Sequence, residues 1–463
     1  MARKKRAQSP PLAVIILAAG QGKRMRSDLP KVLQPLAGRP LLKHVIDTAL
    51  SLQPAATCIV YGHGGEQVRA ALSAEPVEWV LQAQRLGTGH AVSQAMPRIA
   101  DDQLVLVLYG DVPLVRRQTL DELLQLAGPR RVALLTMLPE DPTGYGRIVR
   151  NTRGQVQRII EHQDAGKQQL RIREANTGIV AAPARLLKKW LKALRNDNSQ
   201  GEYYLTDIIA MAVRERIPVL PMVVSSAEVV GVNDKAQLAQ VEALHRQRIN
   251  RELLLAGVTI ADPSRCDVRG TLLHGEDVFI DVGVVLEGTV RLGNRVRVGP
   301  YCVVRNSEIG EETCVFGHCI IDSADIGANC LIGPFARLRP AAVLGQGVHI
   351  GNFVEVKNSR MGGDSKANHL AYVGDAQLGS RVNIGAGTII ANYDGAHKNR
   401  TTIGDDVHTG SNSVLVAPMT VGAGATIAAG STVVKEVPPG GLTVARARQL
   451  TIADWRRPVK PKK

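Results

Sequence analysis

Short β-rich apolar runs punctuate the first half of the chain, at 13–17, 57–61, 104–108 and 132–137. Each ends in a polar or glycine-rich turn. Between them, stretches such as 40–52 and 119–126 carry apolar residues at helical spacing. Strand-length apolar runs alternating with amphipathic helices predict a parallel sheet covered by helices on both faces, from Leu12 to about Val230. Leu238, Val241, Leu244, Ile249, Leu253 and Leu254 then fall at helical spacing and predict one long helix over 234–256. Asn233 or Asp234 is placed to cap its start and Gly257 its end.

Beyond about Arg265 the pattern changes period. Aliphatic-x-aliphatic-Gly units recur, and glycines fall six apart at Gly293/Gly299, Gly327/Gly333, Gly345/Gly351, Gly379/Gly385 and Gly404/Gly410. Six residues suffice for one short strand and one turn, and three such repeats make one coil of a parallel β-helix. The segment 358–371 lacks the period and reads as a loop protruding from the solenoid, a place where function concentrates. The divisions expected are a basic tail over 1–10, an α/β domain over 11–232, a linker helix over 233–257, a β-helix domain over 258–448 and a second basic tail over 449–463.

Composition narrows the classes. Of 463 residues, 44% are hydrophobic and 21% charged, which excludes disorder throughout. No window approaches the 18 apolar residues of a transmembrane helix, and the run ending at Gly20 lacks signal-peptide flanks. With 45 glycines and 4 phenylalanines, the core must be built of Val, Ile, Leu and Ala. The net charge of +15 is concentrated at the ends, in Arg3, Lys4, Lys5, Arg6, Arg456, Arg457, Lys460, Lys462 and Lys463. Such tails suit nucleic acid or an anionic membrane, but solvated ends are the plainer reading. The six cysteines include no C-x-x-C pair, which argues against a zinc or redox motif. Their even number would allow disulfides, but a long chain without a secretion signal implies reduced thiols in a cytoplasm.

Two features carry candidate chemistry in the first half. The opening strand runs into Leu17, Ala18, Ala19, Gly20, Gln21 and Gly22, followed by Lys23, Arg24 and Lys31. A glycine turn after a strand lets backbone N–H groups approach a phosphate, and nearby cations favour a triphosphate. A structural turn with solvated cations is the alternative. Tyr109, Gly110 and Asp111 end another apolar strand, and a carboxylate at that sheet edge can hold Mg2+. A capping aspartate is the alternative there. The two features would share one edge of the sheet, which strengthens both.

Leu17 to Gly20 with Arg24 and Leu29-Pro30-Lys31 resembles the nucleotidyltransferases that activate sugar 1-phosphates. Gln82, Gly87-Thr88-Gly89-His90 and Tyr109-Gly110-Asp111 are similar to their uridylyltransferase branch. Thr143 to Arg147, Glu161-His162, Asn176-Thr177-Gly178 and Gly231-Val232-Asn233 continue the match in order. Together with the hexapeptide half, residues 12–458 resemble the GlmU family, bifunctional N-acetylglucosamine-1-phosphate uridyltransferases and glucosamine-1-phosphate acetyltransferases. The resemblance implies a Rossmann-like nucleotidyltransferase domain, a connecting helix and a left-handed parallel β-helix. Leu17, Ala18, Ala19, Gly20, Gln82, Gly87 and Thr88 would hold the uracil and ribose of UTP. Lys31 would contact phosphate, Arg24 would act on the transferring phosphoryl group, and Asp111 and Asn233 would ligate Mg2+. Gly146, Glu161 and Asn176 would position N-acetylglucosamine 1-phosphate, beside Tyr109 and Gly110. Lys23 departs from the small hydroxyl residue usual there.

In the repeat half, His369 lies in the 358–371 segment and Arg339 and Lys357 can pair with a phosphate. A neutral imidazole suits proton removal from an amine attacking a thioester. The resemblance makes His369 the general base for glucosamine 1-phosphate, bound by Arg339, Lys357, Tyr372 and Asn383. Ala386, Asn392, Tyr393, Ser411, Ala429 and Arg446 would line the acetyl-CoA site. Transfer would be direct, so the cysteines need no catalytic part, and Cys330 and its neighbours read as small apolar residues facing the prism interior. The family implies a cytoplasmic homotrimer with no stable nucleic-acid partner. A single-activity sugar nucleotidyltransferase with a regulatory β-helix would not need His369 or Asn392-Tyr393, and a non-catalytic assembly subunit would have lost Lys31, Asp111 and Asn233.

Overall fold

A computed structural model describes residues 10–460 except Gln21 and His63, so the expectations for Arg3 to Arg6, Lys462 and Lys463 lie outside the described residues. The chain divides into two compact units, 1–245 and 246–463.

In the first unit the apolar runs are strands Leu12–Leu17, Ala56–Gly62, Leu104–Tyr109 and Val132–Met137. Their alternating side chains serve two cores. Ala13, Ile15, Val105 and Val107 face one cluster, and Val14, Ile16, Leu106 and Leu108 the other. Helices Thr88–Ala95 and Ala184–Lys192 close the first face, while Leu41–Ser51 and Arg117–Leu126 close the second. Leu12–Leu17 sits between Leu104–Tyr109 and Ala56–Gly62, parallel to both. The sheet is not wholly parallel, however. Ala175–Pro183 runs antiparallel between Leu104–Tyr109 and Val132–Met137. Alternation of apolar residues encodes a strand but not its direction, so the sequence pattern is blind to this reversal.

The long helix is Lys235–Leu255. Asp234 caps it, its Oδ1 accepting from the Gln237 N–H at 2.9 Å. Val241 is fully buried with Leu238 and Leu244 against the first unit's core, whereas Leu253 and Ile249 join the core of the second. Leu254, expected on the apolar stripe, is 42% exposed.

The second unit is a stack of short parallel strands in ladders of 11 and 17, in agreement with a left-handed parallel β-helix. The buried residue of each strand stacks on the next. Ile280, Val298, Val315, Ile332, Ile350 and Ala367 form one such column. Cys302, Cys319 and Cys330 are wholly buried in this interior, and burial pushes the Cys266 thiol up to about 12, which makes it inert at neutral pH.

The segment 358–371 is not a protruding loop. It forms ordinary coil, with strands Arg360–Met361 and Lys366–His369 paired 17 residues back and 17 ahead. Its coil is 17 residues long like others in the stack, and its glycine period fails because Asn368 stands where Gly351 stands one coil earlier. The true insertion is 392–400. There the offset between stacked strands rises to 25, from Asn383 to His408 and from Ile389 to Val414. Tyr393 bridges Lys398 across this excursion, and Asp394 closes its tip by accepting from the backbone of Ala396 and His397.

Candidate functional site

The strand Leu12–Leu17 ends at a cavity of about 300 Å³ at the carboxyl edge of the sheet. Leu17, Ala18, Ala19, Gly20, Lys31, Gln82, Gly87, Thr88, Tyr109 and Asp111 all line it. The backbone is pinned there because Ala18 N donates to Val60 O and Gly110 N to Leu17 O. Gly22 has φ +62°, and a Cβ on it would lie 2.6 Å from Lys31 Cβ, so glycine is what lets Lys31 fold back over the turn.

Asp111 and Asn233 meet although they are distant in sequence, because Val232 N donates to Asp111 O at 2.8 Å. Asn233 is fixed in turn by Gln237, whose Oε1 accepts from its backbone N–H. The Lys31 ammonium lies 2.5 Å from Asp111 Oδ2 and 3.1 Å from Asn233 Oδ1. A carboxylate and an amide oxygen on one spot form a hard-oxygen donor pair that would suit a divalent cation.

Gly146, Glu161 and Asn176, expected to position the sugar, lie close to one another near Tyr109. Asn176 N donates to Gly146 O, and the open Cα face of Gly146 lies against Glu161 Oε2. Glu161 accepts from the Thr206 hydroxyl at 2.8 Å. Burial nevertheless pushes the Glu161 carboxyl above its ordinary range. Burial likewise raises the Tyr109 phenol, with the charges of Glu161 and Asp111 adding to it. Gly178, at φ +84°, passes so close to the Tyr109 ring that a Cβ would sit 2.4 Å from it.

Arg24 does not line the cavity. It stands exposed on the turn Lys23–Met25, as does Lys23. Arg85 and Glu202 do line it and escaped the sequence reading. Arg85 stands three residues after Gln82, a spacing that could have suggested it. Glu202 is brought in by pairing of Tyr203 with Leu86 and Gly89 and leaves no sequence signal.

In the β-helix the expected residues fall into two groups. The first centres on Asp375, a carboxylate absent from the sequence reading. It accepts from Lys357 Nζ at 3.3 Å and from the side-chain amides of Asn358 and Asn392. The Tyr372 hydroxyl lies 3.5 Å from the Asn392 amide, and Arg339 pairs with Glu355 at 2.8 Å. Burial opposes the Asp375 charge, but the hydrogen bonds of Asn358, Asn392 and Lys357 outweigh it and hold the carboxyl below its ordinary range. Lys398, from the inserted loop, also reaches this group. Its contact with Lys357 and that ammonium's charge hold Lys398 below the usual lysine range, with Arg339 adding to the repulsion. Converging cations of this kind await an anion.

The second group is a column along the stack. Asn352 pairs with His369, Gly387 N donates to His369 O, Asn412 N to Ala386 O and Gly430 N to Ser411 O. Arg446 Nη1 caps the column on Ala429 O at 2.7 Å. His369 Nδ1 lies 2.9 Å from Asn352 Oδ1, an acceptor that selects the Nδ1–H tautomer and leaves the Nε2 lone pair free. Asn383 stands on the strand face beside Lys366, and Tyr393 is exposed, its hydroxyl donating to Gly395 O. Among the described residues no side-chain hydrogen bond joins the two groups.

Comparison with known proteins covers both units. A model described as a MobA-like NTP transferase domain matches residues 14–207, and one described as a GMPPB C-terminal domain matches 268–361. The chain is 57% identical to the bifunctional protein GlmU of Azoarcus sp. (strain BH72), over 97% of this chain and 100% of that protein. It is 56% identical to the proteins of that name from Aromatoleum aromaticum and Cupriavidus pinatubonensis, each over 97% of this chain and 99% of the relative.

Proposed function

The chain belongs to the GlmU family of bifunctional proteins, and from that premise we propose how its residues divide two reactions between the two units. The chain is a bifunctional transferase of UDP-N-acetylglucosamine synthesis. It acetylates glucosamine 1-phosphate and then joins N-acetylglucosamine 1-phosphate to uridylate. The observation that carries this reading is the match to bifunctional relatives across both units.

In the first unit a phosphate oxygen of N-acetylglucosamine 1-phosphate attacks the α-phosphorus of UTP, and pyrophosphate leaves. Gly146, Glu161 and Asn176 orient the sugar, while Leu17 to Gly20, Gln82, Gly87 and Thr88 hold the uridine. Asp111 and Asn233 would hold Mg2+, which supplies charge neutralisation on the phosphates when bound. Lys31 meets a phosphate from inside the cavity and Arg24 from the exposed turn beside Gly22. No side-chain nucleophile is required, because positioning and cations lower the barrier.

In the second unit the 2-amino nitrogen of glucosamine 1-phosphate attacks the thioester carbonyl of acetyl-CoA. The nitrogen–carbon bond forms, the carbon–sulfur bond breaks, and His369 Nε2 takes the amine proton. Arg339, Lys357, Tyr372 and Lys398 hold the sugar phosphate, with Asn383 completing the site. The column from Ala386 through Ser411 and Ala429 to Arg446 holds coenzyme A beside Asn392 and Tyr393.

A homotrimer suits this division. Tyr301, His318, Phe335 and Phe353 stack along one corner of the prism with ring centroids 4.9–5.4 Å apart, and both phenylalanines are about half exposed. An exposed aromatic rib of that length calls for a protein partner, and two separate groups of acetyl-site residues are what facing copies would complete. The cytoplasm supplies UTP and acetyl-CoA, and all six cysteines are free, as suits a reducing compartment. Among the described residues no helix is long and apolar enough to cross a membrane.

The test incubates purified protein with glucosamine 1-phosphate, acetyl-CoA, UTP and Mg2+, with products followed by mass spectrometry and particle mass by light scattering. N-acetylglucosamine 1-phosphate followed by UDP-N-acetylglucosamine is expected, from a trimer. Conversion of supplied N-acetylglucosamine 1-phosphate alone would overturn the acetyl assignment.

A further inference from the structure

The Lys31 ammonium occupies the spot that a divalent cation would need. It makes both contacts available there, to Asp111 and to Asn233. Its side chain is 11% exposed and that of Asp111 18%, so the pair is largely removed from water. Asn233 cannot easily turn away, since its backbone is tied to Gln237 and the preceding Val232 to Asp111. Among the described residues no group of three or more His, Cys, Asp or Glu offers a richer metal site.

Two consequences follow from charge. An ammonium and a divalent ion cannot share a spot a few ångströms across, because their like charges repel strongly at that separation in a site largely removed from water. One carboxylate and one amide oxygen are also too few to strip a hydrated Mg2+ while a lysine competes for them. Lys31 gives up Asp111 only where another anion receives it. A triphosphate brings that anion and further metal ligands in one step.

We propose that Lys31 is an internal counter-cation that keeps divalent metal out of the free protein. Metal entry is thereby conditional on the nucleotide, and the ammonium passes from Asp111 to a phosphate oxygen as both arrive. This inference rests on the reading of Asp111 and Asn233 as metal ligands given above.

The experiment titrates Mn2+ into the full chain and measures free Mn2+ by electron paramagnetic resonance, without turnover. It compares the native protein, Lys31→Met and Asp111→Asn, each with and without a non-hydrolysable α,β-methylene UTP analogue. Native protein is expected to bind Mn2+ only with the analogue. Lys31→Met is expected to bind it without nucleotide, about tenfold or more tighter than the native protein does. Equal Mn2+ affinity of native and Lys31→Met protein without nucleotide, lost in Asp111→Asn, would overturn the gate while sparing the metal site. Undiminished binding by Asp111→Asn with the analogue would overturn the metal site itself. Lys31→Arg keeps the charge and is expected to exclude Mn2+ as the native residue does. If Lys31→Met fails to fold, Lys31→Gln replaces it, with melting temperature as the check.

Discussion

Asp375→Asn is expected to cripple acetyl transfer and leave uridylyl transfer unchanged. The native carboxylate receives Lys357 and Asn392 on one oxygen and Asn358 on the other. It is thus a common anchor for a residue assigned to the sugar phosphate and one assigned to coenzyme A. An amide of the same size removes the charge and turns an N–H group toward donors that need an acceptor. Two charge-assisted hydrogen bonds at about 1.5 kcal/mol each give a positional loss of about 3 kcal/mol. An opposing term exists, because deleting a negative charge strengthens the field of Arg339, Lys357 and Lys398 on the substrate phosphate. At about 6 Å and an effective dielectric near that of water this returns only about 1 kcal/mol. The net of about 2 kcal/mol corresponds to about a 30-fold fall in kcat/KM.

The assay follows thiol release from acetyl-CoA while each substrate is varied in turn. Because Asp375 stands behind both binding groups, both KM values are expected to rise, and Asp375→Asn combined with Lys357→Met should be little worse than the worse single variant. A folded Asp375→Asn protein with native KM for both substrates would refute the anchor. So would effects of Asp375→Asn and Lys357→Met that simply add.

His369→Ala should abolish acetyl transfer with uridylyl transfer near normal, and loss of both in a folded protein would contradict separate sites. Asn352→Ala removes the acceptor that fixes the imidazole tautomer, so acetyl kcat should fall about tenfold with KM nearly unchanged, as read from initial rates. Asp111→Ala should remove Mg2+-dependent uridylyl transfer and spare acetyl transfer, and full retention of the former would disprove the metal assignment. Glu161→Gln should raise the melting temperature above neutral pH while weakening use of the sugar phosphate. The folded chain holds the Glu161 proton more tightly than the unfolded chain, so ionisation costs stability as pH rises past the ordinary 4.5, and the full penalty is present above the raised folded value. The stabilising difference should therefore vanish below that ordinary value, and a difference independent of pH would show that burial of the charge is not its cause.

The parts of the fold legible in the sequence are those that a local period encodes. The strand Val132–Met137 has the bounds its apolar run predicts, and Leu41–Ser51 differs from the expected helix by one residue at each end. What a period does not encode was lost. The alternation over 12–230 implies a parallel sheet, and Ala175–Pro183, which it does not single out as a strand, runs antiparallel within that sheet. The segment 358–371 reads as a protruding loop because a missing glycine looks the same whether another residue fills its place in the coil or residues are added. The glycines did hold the correct answer. Gly379 to Gly404 and Gly385 to Gly410 are each 25 apart, and 25 is not a multiple of six, which puts the insertion between them, where Lys398 lies.

The site residues divide in the same way, for a reason rooted in how each unit builds its chemistry. At the sheet edge, ligand-facing positions follow the ends of strands, and a strand end is visible as an apolar run meeting a turn. Leu17 to Gly20 and Asp111 are legible in this way and do share one cavity with Tyr109, and Gln82, which only the family resemblance marks, lines it too. In the β-helix every outward position of every coil looks alike, and function depends on which outward residues stack. Asn352 acts on His369 because it is one coil below, and Asp375 gathers Lys357, Asn358 and Asn392 from neighbouring coils. Such partners stand 17 or 18 residues apart, a separation that matters only once the coil length at that point is known. A one-residue error in coil length shifts every partner above it to the wrong column. For this reason the acidic anchor and the tautomer-setting asparagine went unseen, while the histidine and lysine they serve could be named.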